Sequence, residues 1–237
     1  MSYGVGEVAK AGADKIYQLD VVSNNLANTA TPGFKVEHYY PGLIRDDANT
    51  GEGSTPNLSY TRVDYSQGIT QIKGNALDVA IQGDGFFTVQ TKEGLAYTRK
   101  GNFTINKNNQ LVTQSGEFVL GDRGPITVTG KDINIDSVGN IKVSGVDSGK
   151  LQIVRFENPQ ALTRIKDGLF TDPGAAKVKK MDNPEIKPRH LEMSNANVIK
   201  EMVDMIDIQR SFESYQKVIQ TIADLDKLSI SRVGRLA

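Results

Sequence analysis

Apolar residues recur at two different periods along the chain, and the change of period divides it. Near the start they fall at Val5, Val8, Gly12, Ile16, Leu19, Val22 and Leu26. Steps of three and four place these positions on one stripe of a helix. Gly4, Gly6 and Gly12 sit in or beside the stripe, and an interior Gly costs about 1 kcal/mol relative to Ala, so this helix is expected to be marginal alone. It is expected to stop at Asn28-Thr29-Ala30-Thr31-Pro32-Gly33, where Pro bars its predecessor from the helical region and Gly permits a turn. Near the other end a longer stripe runs through Val198, Met202, Met205, Ile208, Phe212, Tyr215, Ile219, Ile222 and Leu225. Its spacing is heptad-like. Ser194 or Asn195 is placed to cap it, and neither Pro nor Gly intervenes before Gly234. A helix over residues 197–230 would be about 50 Å long at the usual rise per residue, longer than a thin-cored domain needs.

Between the two stripes the period drops to two. Leu77–Ile81, Phe86–Val89, Phe103–Ile105 and Leu151–Val154 read as short strands bounded by Gly, Asn and Asp. A weak internal repeat joins two further segments: residues 103–113 overlay residues 133–143, with apolar residues coinciding at 103/133, 105/135 and 111/141. Both read as hairpins with their inward faces in the same phase. The middle of the chain is therefore expected to be antiparallel β. Residues 36–73, rich in Gly and Thr with scattered Tyr, read as an extended connector, and residues 172–189, with three Pro and several basic residues, as a second loose stretch. The whole reads as α+β: an N-terminal helix within residues 1–34, a connector over 35–74, a central antiparallel β domain over 75–191 and a C-terminal helix within 192–237.

Composition narrows the function. The 28 basic and 28 acidic side chains leave no formal net charge, so no global field gathers nucleic acid or anionic lipid. There is no Cys, and only two His, which excludes disulfides, thiolate catalysis and a histidine-rich metal site. No apolar run approaches the ~20 residues that span a bilayer, and the first residues lack the basic and apolar regions of a cleavable signal peptide. Candidate chemistry fares poorly. Gly83-Asp84-Gly85 begins like a dinucleotide loop, but aromatic strand residues follow it. Asp132, Asn134 and Asp136 mimic the start of a calcium loop, yet the next position is Ser137 and the twelfth is Val143; a hairpin turn is the better reading. His38, His190 and the Asp46/Asp47 pair lack an orienting partner or an apolar pocket. The Lys177–Arg189 cluster contains Asp182 and Glu185 and no interleaved aromatics, so it reads as a solvated loop. No catalytic residue, metal site or cofactor is expected.

Two helical stripes flanking a β module can be buried in two ways. They can close on each other as a clasp within one chain, or they can be covered by other copies in a fibre or tube. The marginal first helix and the overlong second favour the copies, because each needs a neighbour. A secreted β-structured enzyme or adhesin with a helical clasp is the alternative from another class.

The segment Ser23-Asn24-Asn25-Leu26-Ala27-Asn28-Thr29-Ala30-Thr31-Pro32-Gly33-Phe34-Lys35 resembles the N-terminal motif of bacterial flagellar rod and hook proteins. Leu77–Ile81 with Gly83, Gly85, Phe86 and Phe87, and then Tyr97, Arg99, Gly101 and Phe103, resemble the entry to that family's core domain. Ser194, Asn195, Asn197, Val198, Glu201, Met202, Val203, Met205, Ile206, Gln209, Arg210, Phe212 and Glu213 resemble its closing helix. Within the family, Leu19-Asp20-Val21-Val22 and the stretch 121–126 are more similar to the proximal rod members than to the distal ones. The resemblance implies a non-enzymatic subunit of the flagellar basal-body rod, a drive shaft in the periplasm. Its partners would be copies of itself, other rod proteins and, in transit, the flagellar type III export apparatus, without nucleic acid or membrane insertion. Self-assembly would fall to Val8, Ile16, Leu19, Val22, Asn24, Asn25, Leu26, Asn28, Gly33 and Phe34. From the second stripe it would engage Val198, Met202, Met205, Ile208, Gln209, Arg210, Phe212, Tyr215, Ile219 and Ile222.

Overall fold

The computed structural model describes residues 2–42, 59–130 and 132–233; Asp46, Asp47 and Gly234 lie outside them. The chain divides into two compact units, one drawn from Met1–Ala27, Glu37–Arg62 and Asn197–Ala237, the other from Asn28–Val36 and Val63–Ala196.

The first unit is built on the two stripes. Helix α1 spans Ser2–Ala27 and helix α2 spans Val198–Val233, and the two pack against each other within the chain. The cap of α2 is neither Ser194 nor Asn195. The Asn197 side-chain oxygen accepts from the amides of Ile199 (3.0 Å) and Lys200 (3.2 Å), while its carbonyl accepts the first helical bond from Glu201 (2.9 Å). Asn197 thus satisfies the amides that a helix start leaves without partners. Ser194 instead accepts from the Ala196 amide, and Asn195 is committed to the other unit. Part of the segment read as connector also belongs here: Glu37–Tyr40 packs on α1 and pairs with Tyr60–Val63. Tyr17 stacks on Tyr39 and Tyr40 on Tyr60, and the Tyr39 hydroxyl donates to Asp14 at 2.7 Å.

The second unit is antiparallel β throughout its paired strands. Its main sheet runs Thr163–Arg164, Leu169–Thr171, Gly94–Thr98, Phe86–Thr91, Phe118–Gly121, Leu111–Val112 and Thr104–Ile105. Ile153–Phe156 joins along the first half of Phe86–Thr91 and carries Val178–Lys180 on its other side. The central strand is covered on both faces, which is why Phe86-Phe87-Thr88-Val89 reads as a nearly unbroken apolar run. Phe87 and Val89 enter a core with Val79, Ile81, Phe103, Leu111, Ile141 and Ile153. Phe86 points the other way, into an aromatic cluster with Tyr97, Phe156 and Phe170. Ring centroids there lie 4.8–5.9 Å apart in edge-on pairs, the arrangement that ring quadrupoles favour.

The internal repeat is real at the level of atoms. Thr104 pairs with Val112 and Ile105 with Leu111; Ile133 pairs with Val143 and Ile135 with Ile141. Asn106 in the first hairpin and Asp136 in the second play the same part. Each side-chain oxygen accepts from the amides two and four residues on, at 2.9 Å. The supposed calcium loop is therefore a hairpin turn. A third strand, Val146–Lys150, extends the second hairpin through a tight Ser144-Gly145 turn with φ of 49° and 82°, which leaves Val146 68% exposed at the tip.

Two strand pairs each include a strand where the sequence reads as connector or loop, Thr70–Ile72 in one and Ile186–Pro188 in the other. Thr70–Ile72 pairs with His190–Glu192, and Val79–Ile81 with Ile186–Pro188. Each is three residues long, too short to display a period, and each pairs with a segment more than a hundred residues distant. Such strands are specified by tertiary pairing rather than by local pattern.

Candidate functional site

The expected assembly residues sit on the first unit, and the helix pair leaves them incompletely covered. Val8, Leu19, Val22 and Leu26 on α1 are half-buried, as are Met205, Ile208, Phe212, Tyr215, Ile219 and Ile222 on α2. Ile16, Asn24, Val198, Met202, Gln209 and Arg210 are exposed. Among the described residues of the two helices, only Gly12, Asn25 and Glu201 are buried. Asn25 is the polar pin of the unit. Its amide donates to the Glu37 carbonyl (2.9 Å) and to Glu201 Oε2 (3.1 Å), and its oxygen accepts from the Glu37 amide (3.0 Å). One side chain thereby fixes α1, α2 and the Glu37–Tyr40 strand in a single register, as a lone buried Asn does between paired helices.

A second apolar face on α2 is absent from the expected set. Ile199 is 75% exposed, and Val203 and Ile206 follow it at steps of four and three; farther along, Val218 and Leu228 are also exposed, as is Leu225 at the end of the expected stripe. At about 100° per residue, Ile199, Val203 and Ile206 lie on the side of α2 opposite Met205, Phe212 and Ile219. The signal was present in the sequence, but a single-stripe template stops at the stronger pattern.

Of the motif residues expected outside the helices, Asn28 is half-buried, whereas Gly33 and Phe34 are buried and belong to the β unit. They lead into a cluster of buried charge. Lys35 and Glu192 approach at 2.5 Å with their side chains 0% and 1% exposed, and Arg99, 3% exposed, reaches the other Glu192 oxygen at 3.3 Å. The cluster is closely bonded. Lys35 Nζ also donates to the Ser66 carbonyl (2.6 Å), the Gly68 amide to Glu192 Oε1 (3.1 Å), and Arg99 Nη2 to the Gly83 carbonyl (2.6 Å). The Arg99 guanidinium lies over the Phe86 ring at 5.3 Å. Burial pulls the Lys35 ammonium and the Arg99 guanidinium below their ordinary values, and the nearby Glu192 carboxylate only partly offsets it.

The surrounding backbone is equally close. The Gly33 amide donates to the Glu192 carbonyl at 2.7 Å, and a Cβ on Gly33 would stand 2.5 Å from the Arg99–Lys100 peptide. Asn195 accepts from the Val36 amide (2.9 Å) and donates to the Asp64 carbonyl (2.9 Å). Arg164 donates to the Lys35 carbonyl and lies over Phe34 at 4.7 Å. In the sequence Lys35 only closes the N-terminal motif and Glu192 only opens the C-terminal segment, with nothing local to mark either as buried charge.

The remaining motif residues build the core. Phe87 meets Phe103 edge-on at 5.1 Å. Gly101 leaves room for the Val79 carbonyl, which a Cβ would meet at 1.6 Å. Gly85 lies between Ile81 and Ile153. His190 Nδ1 bonds the Pro188 carbonyl at 2.7 Å. His38 lines a crevice of about 330 Å³ in the helical unit, beside Glu37, Glu201, Asp204 and Asp207. Among the described residues no group of three or more His, Asp and Glu is placed to hold a metal ion, and no helix is long and apolar enough to cross a membrane.

Comparison with known proteins gives consistent matches along the chain. Residues 16–35 match the family of flagella basal body rod proteins. Residues 80–145 match the flagellar hook protein FlgE/F/G D1 domain, and residues 187–232 the C-terminal family of the flagellar basal body rod FlgEFG proteins. The chain is 34% identical to the flagellar basal-body rod protein FlgF of Caulobacter vibrioides, over 92% of this chain and 93% of that protein. It is 31% identical to FlgG of Bacillus subtilis (86% and 89%) and 30% identical to FlgF of Salmonella typhimurium (94% and 94%).

Proposed function

The chain belongs to the flagellar basal-body rod protein family and is a structural subunit rather than an enzyme, and on that premise we propose that it builds the rod by helical self-assembly through α1 and α2. The observation that carries this reading is the apolar character of α2 on two opposite sides. One side is half-covered in the α1–α2 pair; the other, with Ile199, Val203 and Ile206, is bare. A helix apolar on both sides is one that other helices surround, and each large apolar side chain so covered contributes about 1.5–3 kcal/mol. The clasp and the assembly read from the sequence are then successive layers: α1 covers one face of α2 and neighbouring copies cover the rest.

In this reading the helices of successive copies form a coiled-coil-like inner layer around the export channel, and other rod proteins take the place of copies at the ends of the array. The expected helix residues, from Val8 to Leu26 and from Val198 to Ile222, pack within and between subunits, while the β units stiffen the shaft against torque. The subunit occupies the proximal, periplasmic part of the rod and arrives through the flagellar type III export apparatus. Phe212→Asp and Ile206→Asp, one on each face of α2, test the assembly. Both variants are expected to keep the β unit folded and to abolish rod formation and swimming. Normal rods in either strain would refute the two-faced account. Recovery of the protein from isolated basal bodies, with its height along the shaft read by immunogold labelling, tests the proximal position.

A further inference from the structure

The cluster of Lys35, Arg99 and Glu192 has one anion for two cations, all within the β unit and all out of water. Its members come from three separate stretches. Lys35 follows α1 in the chain, Glu192 precedes α2, and the two are 157 residues apart in sequence. Arg99 belongs to the core motif. Around Glu192 converge the segment with Gly33 and Lys35, the segment with Ser66 and Gly68, and Arg99 itself, each through a hydrogen bond or ion pair to this one residue or to Lys35. We propose that Glu192 is the latch of a charge-gated junction: segments 28–36 and 63–75 dock on the β core only when the Glu192 carboxylate arrives to pair Lys35 and Arg99.

The physics is a matter of counting. Without the carboxylate, docking would bury two cations that repel each other, and an uncompensated buried charge is far more costly than an exposed one. Arg99 Nε has no hydrogen-bond partner, and Asp64 and Asp84 act on Lys35 and Arg99 only through space, neither within ion-pair distance of them. The core strands Phe86–Thr91 and Gly94–Thr98 pair with each other and with Phe118–Gly121, Ile153–Phe156 and Leu169–Thr171; none of these pairings needs Glu192. The core can therefore form first and the junction close last, once the segment before α2 is in place. A chain in which that segment is missing or unfolded holds a formed core and an open junction. On the proposed function, and only there, this withholds an incompletely delivered subunit from the growing rod.

Native-state amide exchange on the isolated full-length chain tests the latch without any assembly. In the unaltered protein the Gly33 and Gly68 amides are expected to exchange through an opening that leaves the amides of Phe86–Thr91 protected. Exchange of both sets through one common opening would overturn the proposal. Glu192→Gln is expected to speed exchange across 28–36 and 63–75 by on the order of 10²–10³-fold while leaving Phe86–Thr91 unchanged. Unchanged junction exchange in that variant, or loss of protection in the core as well, would overturn it. The triple change Lys35→Met, Arg99→Met and Glu192→Leu separates charge from shape: restored protection supports the latch, and exchange as fast as in Glu192→Gln refutes the charge account. None of these outcomes depends on rod formation, so the latch and the proposed function fail or stand separately.

Discussion

Lys35 shows how a residue's worth depends on what else is buried with it. Burial lowers its ammonium below the ordinary value, with Glu192 opposing, so the charged side chain costs the folded state more than its ion pair returns. Lys35→Met leaves Arg99 and Glu192 as a balanced pair, and the variant is expected to match or exceed the parent stability at pH 7, because apolar replacement of buried ions is often neutral or stabilising. The sign of the pH dependence follows from proton counting. Between its lowered folded value and 10.5, Lys35 binds fewer protons in the folded than in the unfolded chain, so the parent gains stability relative to Lys35→Met as pH rises through that window. Urea unfolding of both proteins at stepped pH measures the difference; a parent that loses stability relative to Lys35→Met as pH rises would refute it. Gly33, Phe34 and the aromatic motif were legible in the sequence because their residue types announce turns and cores. Lys35 and Glu192 were not, since a buried charge is licensed by a partner far away in the chain, and no local pattern carries that information.

Among the elements, the twin hairpins give the cleanest comparison. Asn106 and Asp136 accept from equivalent amides, yet one acceptor is neutral and the other ionised. For Asp136, burial would raise the carboxyl pKa, but hydrogen bonds from Asn140, Val138 and Gly139 outweigh it and hold the value below the ordinary one. Bonds to an ionised acceptor are worth about 1.5–3 kcal/mol and those to a neutral one about 0.5–1.5. Asp136→Ala is therefore expected to destabilise the β unit more than Asn106→Ala, by about 1 kcal/mol, as read by denaturant unfolding; the reverse order would show that the two turns differ in packing instead. Both hairpins and both helices could be read in advance, because their signal repeats several times within a short window. The three-residue strands Thr70–Ile72 and Ile186–Pro188 could not, and the second face of α2 was masked by the stronger stripe on its other side.

At the scale of the whole molecule the two units differ in how they are held. The β unit has two clusters of fully buried apolar side chains, whereas the helical unit buries only Gly12, Asn25 and Glu201 among the described residues of its helices. Opening free energy follows buried contact, so in the isolated chain the amides of α1 and α2 are expected to exchange much faster than those of Phe86–Thr91, and helical circular dichroism to melt below the β unit. A single transition with equal protection would refute this. The α+β class was evident from the two periods, while the membership of Glu37–Tyr40 and of Tyr60, Thr61 and Arg62 in the helical unit rests on contacts made across the chain. The Ser144-Gly145 tip has a practical corollary. Val146 stands exposed there on a tight hairpin, and the chain contains no cysteine. A Val146→Cys thiol would be unique in every subunit, so a spin label on it would make an assembled shaft its own ruler, reporting spacings between neighbours without a competing signal.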